Sequence, residues 1–147
     1  MLLVQTLEQY NNNHLIFCDP IKNNVMNDGF FIRILYSTHT MALNGLYLLV
    51  PLSDVTCEKY YNKFKCSFSV SAHRNIIEQL RAVEESILSK YKTTKQPMFK
   101  IYEQVRSGCI KLFDDLNQAK TPFVLKISGI WETQHHYGLT YKFSTTA

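Results

Sequence analysis

The stretch that most constrains the fold is residues 123–143, where two alternating runs flank a short polar segment. Phe123, Leu125 and Ile127 alternate with Val124, Lys126 and Ser128, so one side of an extended chain is apolar and the other faces water. After the polar residues Glu132 to His136, Leu139, Tyr141 and Phe143 alternate with Thr140 and Lys142. This predicts a terminal hairpin whose wet side shows Lys126, Ser128, Thr140 and Lys142 and no acid. The alternation slips at Ser128-Gly129, which reads as a bulge or a close backbone approach. Trp131 shares the phase of Phe123, Leu125 and Ile127, so the strand period points it into the core. His135-His136 reads as a solvent-exposed turn pair.

Upstream runs repeat the theme. Leu15 to Cys18 predicts a short strand, and Asn23-Asn24 and Asn27-Asp28-Gly29 mark a loop. Ile32, Ile34 and Tyr36 alternate with Phe31, Arg33 and Leu35, so a strand from Phe30 leaves Arg33 outside between apolar neighbours. Asn44-Gly45 signals a turn before Leu46, Leu48, Val50 and Leu52, with Tyr47 and Leu49 on the opposite face and Pro51 at an edge or strand end. A third strand over Lys63 to Val70 hides Phe64, Cys66, Phe68 and Val70 and shows Lys63, Lys65, Ser67 and Ser69.

The period then changes. Ile76, Ile77, Leu80, Val83, Ile87, Leu88 and Tyr91 fall at helical spacing, with Asn75 and Glu78 as a capping box or Ser71 as an earlier cap. Arg81, Glu84 and Glu85 are expected on its solvated face, and Lys90 and Lys92 near its C-terminal dipole. Pro97 opens a short helix or turn through Arg106, and Cys109 to Phe113 reads as a short strand or helix, a length too small to separate the two.

A chain of 147 residues, 46% apolar, suits one domain with a real core, so 1–147 is read as a single unit. Cys18, Cys57, Cys66 and Cys109 lack any close pair and no leader is recognised, which reads as reduced thiols in an intracellular protein without a bound metal. The opening Met1-Leu2-Leu3-Val4 is too short for a signal core or a membrane span. No phosphate loop, nucleophile elbow or metalloprotease motif is present, so neither an enzyme nor a cofactor is expected.

Several alternating strands, one long helix after the third and a closing hairpin predict a mainly β chain of α+β class. The specific expectation is a small OB-like antiparallel barrel of five or six strands, with single-stranded nucleic acid as its usual kind of partner. Its outer set would contain Arg33, Tyr47, Lys63, Lys65, Lys126 and Lys142 with no carboxylate, although sixteen bases accompany twelve acids in the sequence. Such a track can neutralise phosphates while aromatic rings stack on bases. The bland reading is that strand lysines guard sheet edges against aggregation. The rival functional reading is a non-enzymatic protein-interaction module, an OB-like barrel in a structural or regulatory assembly.

The run Lys126 to Glu132, followed by Tyr137 to Phe143, resembles the closing hairpin of single-stranded DNA-binding proteins of large DNA viruses, and more distantly those of T7-like phages. Arg33 to Ser37 and Asn44 to Tyr47 are similar to an earlier hairpin of the same proteins. The resemblance covers about a third of the chain. It implies an OB-type barrel that coats single strands during DNA replication or recombination, in the host nucleus or cytoplasm, preferring DNA to RNA. It also implies contacts at Arg33, Tyr47, Lys126, Trp131 and Lys142. Replication proteins of this kind often end in an acidic tail, whereas this sequence ends Ser144-Thr145-Thr146-Ala147. A chain of this size is expected to self-associate to cover a strand, without membrane contact.

Overall fold

The alternating runs form strands of one large mixed sheet. The computed structural model describes residues 4–23, 29–112 and 122–145. Its strands are β1 Leu15–Phe17, β2 Ile21–Asn23, β3 Gly29–Ser37, β4 Ala42–Leu43, β5 Leu46–Val50, β6 Thr56–Tyr60, β7 Lys63–Ser67, β8 Gln96–Met98, β9 Cys109–Leu112, β10 Phe123–Glu132 and β11 His136–Thr145. Its helices are α1 Arg74–Lys90 and α2 Lys100–Arg106. Phe113, Asp114-Asp115, the 117–121 connection, the loop at 24–28 and the termini 1–3 and 146–147 lie outside the described residues.

The sheet is ordered β1-β3-β10-β11-β9-β7-β6, with β2 and β4 also on β3, β5 on β10 and β8 on β11. β8 and β9 run parallel to β11, and the other pairings between named strands are antiparallel. The fold is therefore mainly β with one long helix, as the alternation predicted. The described pairings leave the sheet open between β1 and β6, and they include β6 and β8, which the sequence did not reveal. β6 is hidden because four of its five residues are exposed, so Thr56 to Tyr60 carry no apolar alternation. β5 stops at Val50, making Pro51 a strand end. At Gly45 φ is +111°, and a Cβ there would lie 3.2 Å from the Ile127 carbonyl oxygen, so the turn into β5 depends on glycine.

The inner face buries Ile32, Ile34, Leu46, Leu48, Cys66, Ile110, Leu112, Leu125, Ile127, Leu139 and Phe143. Helix α1 contributes Ile77, Leu80, Val83, Ile87 and Leu88, a stripe spaced by three and four residues. Burying a side chain of this size contributes roughly 1.5–3 kcal/mol, so the stripe and the strand interiors dominate the packing. Val124 is also buried although its phase is outer; Leu49 and Ser144 are its register partners.

Three details correct the sequence reading. The start of α1 has no side-chain cap; a 3-10 turn, Ser71–His73, leads into it, and the Ser69 hydroxyl accepts from the Ala72 amide instead. Glu84, expected on the solvated face, is fully buried, and its carboxylate accepts from the backbone amides of Ile101 (3.0 Å) and Tyr102 (2.9 Å), capping α2. Burial pushes its carboxyl up to about 7 against the lowering effect of those amides, with Glu103 adding to the rise. Finally, Cys57 and Cys66 are register partners across β6 and β7 and form a disulfide, so only Cys18 and Cys109 remain free thiols. The two cysteines are nine positions apart in sequence, and the hairpin at Tyr61, where φ is +55°, makes them opposite in space.

Candidate nucleic-acid interface

The outer face of the sheet is organised by cross-strand register. Lys126 on β10 lies opposite Tyr47 on β5 and opposite Lys142 on β11. Phe143 pairs with Leu112 on parallel β9, so one step back along both strands Lys142 neighbours Lys111. Lys111 is in turn the register partner of Lys65 on β7, and Lys65 that of Glu58 on β6. Tyr47, Lys126, Lys142, Lys111 and Lys65 thus form one row across five strands. The Lys126 ammonium lies 5.5 Å from the Tyr47 ring centroid, a cation–π contact.

Two of these steps set like charges directly opposite each other. Lys126 against Lys142 and Lys65 against Lys111 are pairings that destabilise a sheet, since cross-strand Cβ atoms are only about 4.5–5.5 Å apart. The ion pairs among the described residues are Arg81–Glu78, Lys95–Glu132 and Lys100–Glu103, and none of them involves the row or Arg33. Among the described residues, Glu58 opposite Lys65 is the row's one carboxylate register partner, and no described ion pair balances Lys111, Lys126 or Lys142.

A second group occupies the same face nearer the hairpin end. The register shift between Ile127 and Gly129 is the bulge anticipated at Ser128-Gly129, and it reverses the phase of the strand beyond it. Ile130 is fully buried, and Trp131 turns to the outer face, half-buried, with Phe31 and Gly138 as its cross-strand partners. The expectation that Trp131 packs inside is overturned by this one inserted residue. Two glycines seat the rings: a Cβ on Gly138 would fall 2.7 Å from the indole, and one on Gly129 would fall 2.6 Å from the Phe31 ring and 2.4 Å from the Ile32 carbonyl oxygen. Arg33 is exposed opposite Gly129, beside a hollow of about 280 Å³ shared with Cys18, Asp19 and Ile21.

No family model, curated protein or solved structure matches the chain.

Of the sequence-predicted contacts, Tyr47, Lys65, Lys126 and Lys142 share the transverse row, whereas Arg33 and Trp131 lie on the same face several residues along β3 and β10. Lys63 is half-buried and lines a larger hollow, of about 530 Å³, with Glu58, Lys59, Tyr60, Phe64, Lys65, Cys109 and Lys111. The sequence reading missed Lys111, which links the two lysine pairs, and Phe31. The signal for Lys111 was present: Ile110 and Leu112 flank it and both are buried, the same alternation used elsewhere, but over four residues only. The partner that gives it meaning, Lys65, is known only from the register.

The opposite face is occupied. Tyr137 donates to the Leu88 carbonyl (3.1 Å), Tyr91 donates to Glu132 (2.9 Å), and Lys95 pairs with Glu132 at 3.3 Å. Tyr91 is pushed up to about 12 by its burial and by Glu132. No helix among the described residues is long and apolar enough to cross a membrane.

Proposed function

We propose that the protein binds single-stranded DNA without reading its sequence, using the outer face of the sheet as a basic and aromatic surface. The two directly opposed lysine pairs carry this reading. A sheet that keeps ammonium groups face to face, with Glu58 beside Lys65 as their one carboxylate register partner among the described residues, gains from an anion that bridges them, and a phosphodiester chain supplies one charge per nucleotide. Tyr47 beside Lys126, and Phe31 and Trp131 on their glycine seats, offer rings to unpaired bases, which duplex DNA keeps inside its stack.

Strands lie about 4.8 Å apart, so the four lysines span about 14 Å, room for only a few nucleotides. Self-association to cover a longer strand is therefore part of the proposal. So is kinship with OB-type barrels: the helix follows β7 and a hairpin ends the chain, as that fold reading expects, on a sheet that is open and mixed. The preference for DNA over RNA and a role in replication or recombination, in the host nucleus or cytoplasm, rest on the resemblance at residues 33–37, 44–47 and 126–143, while the reduced-thiol argument for an intracellular setting falls with the Cys57–Cys66 bridge. Fluorescence polarisation with labelled oligothymidylate tests the proposal against a duplex of equal length. Stronger binding to the single strand, weakening about 50-fold between 50 and 200 mM salt, is the expected result for four neutralised phosphates. Equal binding to both, or indifference to salt, would remove the reading.

One observation favours the rival, a protein-interaction module. Ile16 (48%) and Ile21 (58%) are exposed on β1 and β2, along the edge of the sheet beyond β3. That strip suits a partner chain and not a nucleic acid.

A further inference from the structure

The lysine row ends in the 530 Å³ hollow on β6, β7 and β9, whose chemistry differs from that of the rest of the row. Besides Lys63, Lys65 and Lys111 it contains a carboxylate, Glu58, and an aromatic ring, Tyr60, 62% exposed and braced edge-on by Tyr61 at 4.7 Å between centroids. Glu58 lies opposite Lys65, yet it belongs to none of the described ion pairs. A carboxylate is unwelcome to a phosphate chain and accepts hydrogen bonds from hydroxyl groups readily. Ammonium groups for phosphates, a carboxylate for sugar hydroxyls and an exposed ring for a base are the three elements needed to hold a nucleotide.

We infer that this hollow is a binding site for a ribonucleoside di- or triphosphate. Lys65 and Lys111, held face to face by β7 and β9, share the phosphate oxygens; Glu58 accepts from the ribose hydroxyls; Tyr60 stacks on the base. The hollow is lined from three strands, β6, β7 and β9, so a compact ligand can touch all three at once. The inference rests on the reading that this face takes phosphates, and it adds a second class of ligand with its own determinants.

Calorimetric titration of the whole protein with ATP, with inorganic triphosphate and with oligothymidylate, in separate runs without added divalent metal, tests it. ATP is expected to bind at least tenfold more tightly than inorganic triphosphate, a gap that Glu58→Gln and Tyr60→Ala each narrow about tenfold by removing a charge-assisted hydrogen bond or a stacked ring. Glu58→Gln should not weaken oligothymidylate binding, since it removes a negative charge opposite Lys65. Oligothymidylate binding without ATP binding would overturn the nucleotide site and leave the single-strand proposal standing. ATP binding no tighter than triphosphate would also overturn it, since only the charges would be in use. Binding of none of the three would overturn both readings. Glu58 is an exposed edge-strand residue, and thermal melting of the Gln variant alongside wild type separates a lost contact from a lost fold.

Discussion

Glu84 shows a charged side chain buried where its helix position puts it: it lies four residues after Leu80 and three and four before Ile87 and Leu88, inside the apolar stripe, so the solvated-face expectation followed its charge and not its spacing. Its neighbour Glu85, about 100° further round the helix, is exposed; what the spacing does not disclose is the partner, the first amides of α2, which donate to Glu84. Because burial raises its carboxyl to about 7 from an ordinary value near 4.5, folding takes up a proton in the interval between. The contribution of this group to stability is full below pH about 4.5, declines as pH rises, and is lost above pH about 7, a swing of about 3 kcal/mol. Urea midpoints recorded from pH 5 to pH 8 should fall in wild type and stay flatter in Glu84→Gln; equal slopes in both would show that Glu84 is not the titrating group.

Trp131 gives the second residue-scale prediction. It is the sole tryptophan in the sequence, so intrinsic fluorescence reports on the outer face. Gly138→Ala should shift that emission with modest loss of stability, because the added Cβ meets the edge of a side chain that can turn away. Gly129→Ala meets the fixed Ile32 carbonyl as well, and should destabilise by about 2 kcal/mol or more. Matching effects of the two substitutions would contradict the seating described.

At the scale of elements, the hairpin of β10 and β11, the phase of β3 and β5 and the apolar stripe of α1 were legible because each repeats a period over five or more residues. β6 was not, since an edge strand exposed on both sides has no pattern to read, and the Cys57–Cys66 bridge went unseen with it. The strand period alone pointed Trp131 inward, against the contact that the resemblance implies there, because one inserted residue at the bulge reverses every later side chain. The bridge closes a loop of nine residues and should contribute roughly 2–3 kcal/mol. Dithiothreitol should lower the denaturation midpoint of wild type and leave that of a Cys57→Ser, Cys66→Ser protein unchanged; a midpoint insensitive to reductant in wild type would rule out the bridge as a stabilising element.

The opposed lysines make a prediction that a purely structural role for them does not. Lys111→Gln or Lys142→Gln relieves repulsion between β7 and β9 or between β10 and β11, and should raise stability by about 0.2–1 kcal/mol while weakening oligothymidylate binding. Edge-guarding lysines would behave otherwise, and β10 and β11 are interior strands with partners on both sides.

Across the whole molecule, a net charge of +4 says little, and its distribution says more. One face of the sheet holds the helices, the buried Glu84 and the Glu132 network, and the other gathers Lys65, Lys111, Lys126 and Lys142 into a single line. The sequence disclosed that these strand lysines, Lys111 excepted, point outward together; only strand order disclosed that they are neighbours, because β9 lies between β7 and β11 through pairings that span dozens of residues. The most direct test of that line is the salt dependence of oligothymidylate affinity in wild type and in a Lys111→Gln, Lys142→Gln protein. A single phosphate track predicts a log–log slope shallower by about 1.4 in the double variant, the share of two lost phosphate contacts. An unchanged slope would mean that the line does not touch the nucleic acid.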